Sequence, residues 1–301
     1  MKPSELPLAP DGSLYHIRLT SSTLADKVLL VGDPARVNMF KEIFENIEFE
    51  SENRELHALT GSYHGTRMTA LSTGMGCDNI DIVMTELDAA HSLTQSPSHS
   101  ATQPLQIVRI GTSGSLQEDI DCGSHVASRY AIGLDGLMNY YKEWPVGRGQ
   151  WSEMEVAFIK YLSPFTSHLS PFARPYCVKG SEMLLDKIAF DMHHGITATA
   201  PGFYGPQGRT VRLHPSIEKL NEKLASFTWP TQLPSHSITQ PLKVTNLEME
   251  TSAIFGFSHL LGHEALTVCL IIANRPKGTF LNDYHTQMRE LVGTVVERMV
   301  G

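Results

Sequence analysis

No two cysteines in this chain are spaced for a joint task. Cys77, Cys122, Cys177 and Cys269 lie far apart with no C-x-x-C pair, which argues against a disulfide frame or a zinc ribbon and for reduced thiols. Basic runs are also missing. Lys and Arg total 24 against 32 acidic residues, a formal net charge of -8, which excludes a nucleic-acid surface built on a basic patch. The arginines stand singly beside glycine or short polar residues, a setting suited to small anions. No apolar run reaches transmembrane length, and the stretch MKPSELPLAPDGSLYHI has one lysine but no apolar leader core. There is no repeat and no low-complexity break. These absences predict a soluble cytoplasmic protein without nucleic-acid or membrane partners, and no metal or cofactor.

What is present centres on Leu105–Gln117, LQIVRIGTSGSLQ. An apolar run (Leu105, Ile107, Val108, Ile110) carrying Arg109 breaks into Gly111-Thr112-Ser113-Gly114-Ser115. It reads as a buried strand, 105–110, ending in a tight loop. Two readings stand. Glycines and hydroxyls beside an arginine make an oxyanion site of the kind that takes phosphate; or this is a strand and turn with solvated hydroxyls, its arginine paired to a local carboxylate.

Residues 1–15 hold three prolines and read as an arm over a surface. Lys27–Gly32 is a buried strand before Asp33-Pro34-Ala35-Arg36, with proline placed to open a helix over 35–44. The stretch 47–63 predicts antiparallel strands, and 67–72 a further strand. Asp78 is the expected N-cap of a helix over 79–93, followed by an exposed loop at 94–104. Beyond an extended 125–128 and irregular 133–149, helices are expected at 154–162, 180–193, 215–226, 251–261 and 281–299. Strands are expected at 196–200 and 265–273, the latter (ALTVCLIIA) central. The alternation predicts one α/β domain over 1–301 with a mixed sheet covered on both faces. Arg36, Thr73, Arg109, Thr112, Phe203–Arg209, Glu248, Glu250, Asn274 and Arg275 all follow strands, which places them in one cleft.

Six pieces, in order, carry a resemblance: Val31-Gly32-Asp33-Pro34-Ala35-Arg36-Val37, Asn53-Arg54-Glu55, Ser72-Thr73-Gly74-Met75-Gly76, Arg109-Ile110-Gly111-Thr112-Ser113-Gly114, Phe203-Tyr204-x-x-Gln207-x-Arg209 and Glu248-Met249-Glu250. Over 14–290 the chain resembles the nucleoside phosphorylases of the NP-I fold, and within them the uridine phosphorylases. The resemblance implies a partly barrel-like mixed sheet flanked by helices. It also implies reversible phosphorolysis of a pyrimidine nucleoside (uridine, deoxyuridine or thymidine) to free base and (deoxy)ribose 1-phosphate.

By the same resemblance, phosphate falls to Gly32, Arg36, Arg109 and Thr112, with Arg54 from a neighbouring subunit. The ribose falls to Glu250, Met249, Glu248 and a partner's His16. The base falls to Phe203, Gln207, Arg209, Ser113 and Gly114. Arg109, Glu250, Arg209 and Gln207 are the expected catalytic set. A second Glu-Met-Glu, Glu153-Met154-Glu155, reads as a solvated helix face. Inorganic phosphate is a co-substrate; bacterial relatives hold a monovalent cation through a glutamate matching Glu55, but Asn79 replaces its serine partner and no ion is assigned. The expected assembly is a hexamer with the dimer as active unit. Gly205-Pro206 and the stretch 210–247 depart from the bacterial pattern. A purine phosphorylase, a nucleosidase and a non-catalytic nucleoside binder are the alternatives.

Overall fold

The computed structural model describes residues 2–93, 103–145, 152–165, 174–230 and 241–300. In chain order, β1 (Lys27–Val31) passes through a 3-10 turn, Pro34–Arg36, into the short α1 (Val37–Lys41). A meander follows: β2 (Asn46–Asn53), β3 (Leu56–Tyr63) and β4 (Thr66–Ser72). Next come α2 (Cys77–Asp88), β5 (Gln106–Ser115), β6 (His125–Gly133), α3 (Ser152–Leu162), β7 (Tyr176–Lys179), α4 (Glu182–Ile188) and β8 (His193–Thr199). The chain continues with α5 (Leu220–Ser226), β9 (Thr228–Trp229), β10 (Leu242–Glu248), α6 (Thr251–Leu261), β11 (Glu264–Asn274), β12 (Thr279–Phe280) and α7 (His285–Met299).

The main path of the sheet runs β12-β11-β6-β8-β10-β5-β1-β4-β3-β2, with β7 on β6 and β9 on β10. Because β11 also pairs with β5, the strands β5, β11, β6, β8 and β10 close into a ring. This is the partly barrel-like mixed sheet expected from the sequence. Apolar side chains of α2, α3, α5 and α6 pack on one side of it, and those of α1, α4 and α7 on the other. Helix α6 is buried from Thr251 through Ser258, which matches a sequence, TSAIFGFSHLL, that holds no Asp, Glu, Lys or Arg.

Several local expectations are corrected. The largest concerns Gly111–Ser115, which is not a loop: β5 runs straight through it to Ser115 because β11 lies parallel along its whole length, Gln106 to Ser115. A tertiary partner thus extends a strand where glycine and serine locally suggest a turn. Gly76, not Asp78, caps α2, which starts at Cys77. The helix expected over 35–44 is a 3-10 turn plus the short α1. Likewise α4 and α5 are shorter than expected, and β7 and β9 were not anticipated. Glu155 is not solvated: it is buried, ion-paired to Arg174 at 3.2 Å and an acceptor for the Cys177 N–H at 3.4 Å. Most of the stretch 94–104 and residues 146–149 lie outside the described residues.

Candidate active site

The cleft opens where the sheet divides. The first half of β5 pairs with β1 through Ile110, while its end pairs antiparallel with β10 at Gly114 and Ser115. Between them, 111–113 have no ladder partner on that edge among the described residues. Such a divergence is where α/β sheets form ligand crevices. A cavity of about 690 Å³ sits there, lined by Gly32 and Arg36 beyond β1, Arg109 and Thr112–Gly114 on β5, and Leu247–Glu250 at the end of β10.

At its floor, buried Arg109 meets two carboxylates. Its Nη1 lies 3.1 Å from Glu248 Oε2, and its Nη2 donates to Glu250 Oε2. Nη1 also approaches Cys269 Sγ at 3.6 Å. Burial opposes the charge on Arg109, but Glu250 and Glu248 outweigh that cost and hold it well above its ordinary value. Burial pushes the Glu250 carboxyl up; Arg109 opposes this and Glu248 adds to it. Burial also raises the Cys269 thiol to about 11, so it is a neutral neighbour. Arg109 is therefore paired to carboxylates, as one of the two sequence readings has it, but to partners remote in the chain and not local ones, and all three residues line the cavity. The set is also not an uncompensated cluster of guanidiniums.

Glu248 and Glu250 differ in what remains available on each. Glu248 accepts from Thr199 Oγ1 at 2.7 Å, from the Glu250 N–H at 3.0 Å and from the Thr251 N–H at 3.0 Å. It thus caps the start of α6 while holding Arg109. Glu250 accepts from Arg109 and, at 2.7 Å, from the Gly76 N–H, which leaves lone pairs for a ligand. Gly76 has φ 95 and Gly74 φ 70. A Cβ on Gly74 would stand 2.3 Å from Asn79 Nδ2, so this loop depends on glycine at both places.

At one end of the cavity, Asp33 Oδ1 accepts the Ala35 N–H at 2.9 Å and fixes the turn that carries Arg36. The Arg36 guanidinium lies 5.7 Å from the centre of the Tyr284 ring, with Nη2 3.5 Å from the Tyr284 hydroxyl. Tyr284 also lines the cavity; no sequence motif marked it.

At the other end, buried Gln207 accepts from Arg275 Nη2 at 2.8 Å through Oε1. Arg209 stacks on Phe203, its guanidinium carbon 3.8 Å from the ring centre. Burial, then the charge of Arg209, lowers Arg275 to about 10, and burial lowers Arg209 too. The Nε atoms of Arg109, Arg209 and Arg275 are each buried without a hydrogen-bond partner among the described residues. The sequence places Arg275 in the cleft by its position just after β11, without a contact of its own. Asn274 instead binds the backbone carbonyls of Gln117 at 3.0 Å and Ile120 at 2.8 Å. Ser113 Oγ accepts from Asn246 Nδ2 at 2.9 Å.

Two expected residues lie outside the cavity of their own chain. His16 packs on α2, and Arg54 is exposed at the β2–β3 turn with a left-handed backbone, φ 57. Asn53 Nδ2 joins them by donating to the carbonyls of Tyr15 at 3.1 Å and His16 at 3.0 Å. Ligand atoms of Glu50, Glu52 and His57 lie within 4.8 Å of one another on the same hairpin, but Lys41 already ion-pairs with Glu50.

A family model described as the phosphorylase superfamily matches residues 26–300. The chain is 30% identical to a nucleoside phosphorylase of Trypanosoma brucei whose crystal structure is described as showing uridine phosphorylase activity. The TM-score is 0.84, covering 98% of this chain and 99% of that one. It is 27% identical over 282 residues to a uridine phosphorylase of Thermococcus kodakarensis, spanning 92% of this chain and 83% of the relative. A DeoD-type purine nucleoside phosphorylase of Alkaliphilus metalliredigens matches at 36% over 106 residues, 35% of this chain and 41% of that protein. Among the described residues no helix is long and apolar enough to cross a membrane. The chain belongs to the phosphorylase superfamily, as a pentosyltransferase related to the uridine phosphorylases.

Proposed function

We propose that this enzyme cleaves a pyrimidine nucleoside by phosphorolysis, with uridine the leading substrate and deoxyuridine and thymidine in the same class. One observation carries the reading: a single cavity joins the Arg36 turn, the Arg109–Glu248–Glu250 cluster and the Gln207–Arg209 corner. Inorganic phosphate enters beside Gly32, Arg36, Arg109 and Thr112. A phosphate oxygen bonds to the anomeric carbon as the bond from that carbon to the base nitrogen breaks. The base leaves as an anion and then takes a proton. No protein nucleophile is needed, so the enzyme supplies positioning and electrostatics.

Glu250 accepts from the ribose 2′- and 3′-hydroxyls, with Met249 under the ring. The carboxylates beside Arg109 support positive charge as it develops on the sugar. Glu248 acts through Arg109 and Glu250, since its oxygens already serve the start of α6. At the base, Gln207 meets the O2/N3 edge, and Arg209 stabilises charge delocalised onto O4. Ser113 and Gly114 flank the ring and Phe203 stacks near it. Arg275 adds a second guanidinium through Gln207. A corner with two guanidiniums fits a base that carries two carbonyls.

His16 and Arg54 complete the cavity of a second copy, so the dimer is the active unit, and a hexamer the full assembly. Supporting this, Arg54 holds a left-handed backbone that non-glycine residues adopt at a cost of about 1–2 kcal/mol. No cofactor is invoked. Four unpaired cysteines fit a cytoplasmic location.

The test is to incubate the enzyme with uridine, thymidine and inosine, with and without phosphate, and follow base and sugar 1-phosphate. Phosphate-dependent uracil release with ribose 1-phosphate is the expected outcome. Release without phosphate would make the protein a nucleosidase, preference for inosine would overturn the pyrimidine assignment, and no release would leave a binder.

A further inference from the structure

Asn246 is wholly buried on β10, and the reaction above gives it no part. The pairing of β8 with β10 shifts register between Val244 and Asn246, an irregularity of the kind that re-aims side chains. Thr245 and Asn246 thereby join one polar row. Asn246 Oδ1 accepts from the hydroxyls of Thr197 at 2.9 Å and Thr245 at 2.9 Å. Its Nδ2 donates to Ser113 Oγ at 2.9 Å. The row begins at Ser128, whose Oγ lies 2.5 Å from Thr197 Oγ1, so it crosses β6, β8, β10 and β5 in the order in which the sheet places them. Every member is buried. Gly195 gives Thr245 its room: a Cβ there would stand 2.2 Å from Thr245 Cγ2. Donors and acceptors set a direction. An amide nitrogen only donates, so Ser113 Oγ accepts from Asn246 and turns its own proton elsewhere. Ser113 also bonds to the Cys269 sulfur, a weak acceptor, and it lines the cavity with Gly114 and Gln207. A stronger acceptor in the cavity takes that proton. Apolar side chains of the same shape would fill the row at little cost, yet the row is polar and ends at the cavity wall.

We propose that Asn246 is a positioning residue: by donating to Ser113 it obliges that hydroxyl to donate into the cavity, to a carbonyl oxygen of the bound base. This rests on the phosphorolysis reading and adds to it a donor whose direction is fixed from beneath the site. As the base leaves as an anion its carbonyl oxygen gains charge, so a donor already aimed at it is worth more in the transition state than in the ground state. A carboxylate in place of the Asn246 amide can only accept. Ser113 then gives its proton to that carboxylate and turns lone pairs toward the base, which reverses its role.

The experiment follows uridine cleavage at saturating phosphate in the full-length enzyme. Ser113→Ala is expected to lower kcat/KM about three- to tenfold, the worth of one hydrogen bond. Asn246→Asp should cost more, about tenfold or above, and chiefly in kcat, because it turns an acceptor toward developing negative charge. Placed in the Ser113→Ala background, Asn246→Asp should cost little further, since the two residues act as one unit. Cleavage of 2-thiouridine and 4-thiouridine identifies the acceptor, sulfur being the weaker one. Wild type should cleave one of them more slowly than uridine, and that gap should narrow in both Ser113→Ala and Asn246→Asp, which a merely structural loss would not do. If Asn246→Asp does not fold, Asn246→Leu neither donates nor accepts; it should lose no more than Ser113→Ala and add little to it. An Asn246→Asp enzyme as active as wild type would show that Ser113 donates to Asn246 and would overturn the proposal. Losses that simply add, or thio gaps that move in neither variant, would do the same. Should wild type release no uracil, the phosphorolysis reading fails; an active wild type with a harmless Asn246 substitution defeats this inference alone.

Discussion

The guanidinium of Arg109 lies across Gly111: a Cβ on that glycine would stand 2.2 Å from Nη1. The two residues share one face of β5, two positions apart. Gly111 is therefore present for room and not for a turn, and its backbone needs no positive φ. Gly111→Ala should leave the strand paired but push Arg109 off Glu248 and Glu250. Phosphate-dependent turnover is expected to fall about 10²-fold or more, with the circular dichroism spectrum unchanged. Normal turnover in a folded variant would show that Arg109 has another route to its place.

Removing the guanidinium leaves Glu248 and Glu250 buried together without their cation. Arg109→Ala should cost about 3 kcal/mol or more in stability, besides about 10²-fold or more in rate. Adding Glu250→Gln to that variant should restore part of the stability and none of the rate. Urea denaturation of the two variants beside wild type checks this; a double variant less stable than Arg109→Ala would be inconsistent with like-charge repulsion.

Arg54 stands at the first position of a two-residue hairpin turn with φ 57, a conformation that favours glycine. Arg54→Gly is expected to hold or raise stability by about 0.5–1 kcal/mol while raising the KM for phosphate. If Arg54 serves a neighbour, mixing refolded Arg54→Gly and Glu250→Ala subunits should, at limiting phosphate, give more activity than the sum of the two alone. A mixture no more active than the sum of its components would assign Arg54 to the surface only.

Base recognition should fail in separable ways. Gln207→Ala removes both the base contact and the partner of Arg275, so uracil selectivity is expected to fall with kcat/KM. Arg209→Ala frees the Phe203 ring and should lower kcat more than it raises KM, because its proposed role is in the departing base. Unchanged selectivity between uridine and inosine in both variants would refute the corner as the base site.

Asp135 offers a pH test outside the cavity. Burial raises its carboxyl above 3.8 although the Leu137 N–H, Ser252 and Tyr176 donate to it. The folded state therefore holds more protons here than the unfolded chain once the pH passes 3.8, so this group's contribution to stability falls as pH rises through the folded pKa. The penalty of Asp135→Asn should be largest at the acid end of that window and shrink as pH rises. Paired urea midpoints from pH 4 upward measure it; a penalty that grows with pH would reverse the sign.

Much of the site was legible because strand ends in an α/β sheet converge. Once 27–32, 105–110 and the run before Thr251 read as strands, Arg36, Arg109 and Glu250 had to gather at one edge. Glu155 shows the limit: its tripeptide and helix pattern were plain, yet its burial came from Arg174 and β7, which the pattern did not contain. Arg275 was visible as a strand-end arginine, but nothing local said that its guanidinium reaches Gln207.

From sequence alone came most of the strands and helices in order and the mixed sheet with two helical layers, since apolar period, glycine and proline act within a few residues; the residues expected at the cleft came from the six-piece resemblance. Tertiary structure alone decided that β5 continues through Gly111–Ser115, that Arg109 rests on two carboxylates, and that Glu155 is buried against Arg174. Those outcomes depend on which strand lies alongside and how far a long side chain reaches, both set by contacts between residues remote in the chain.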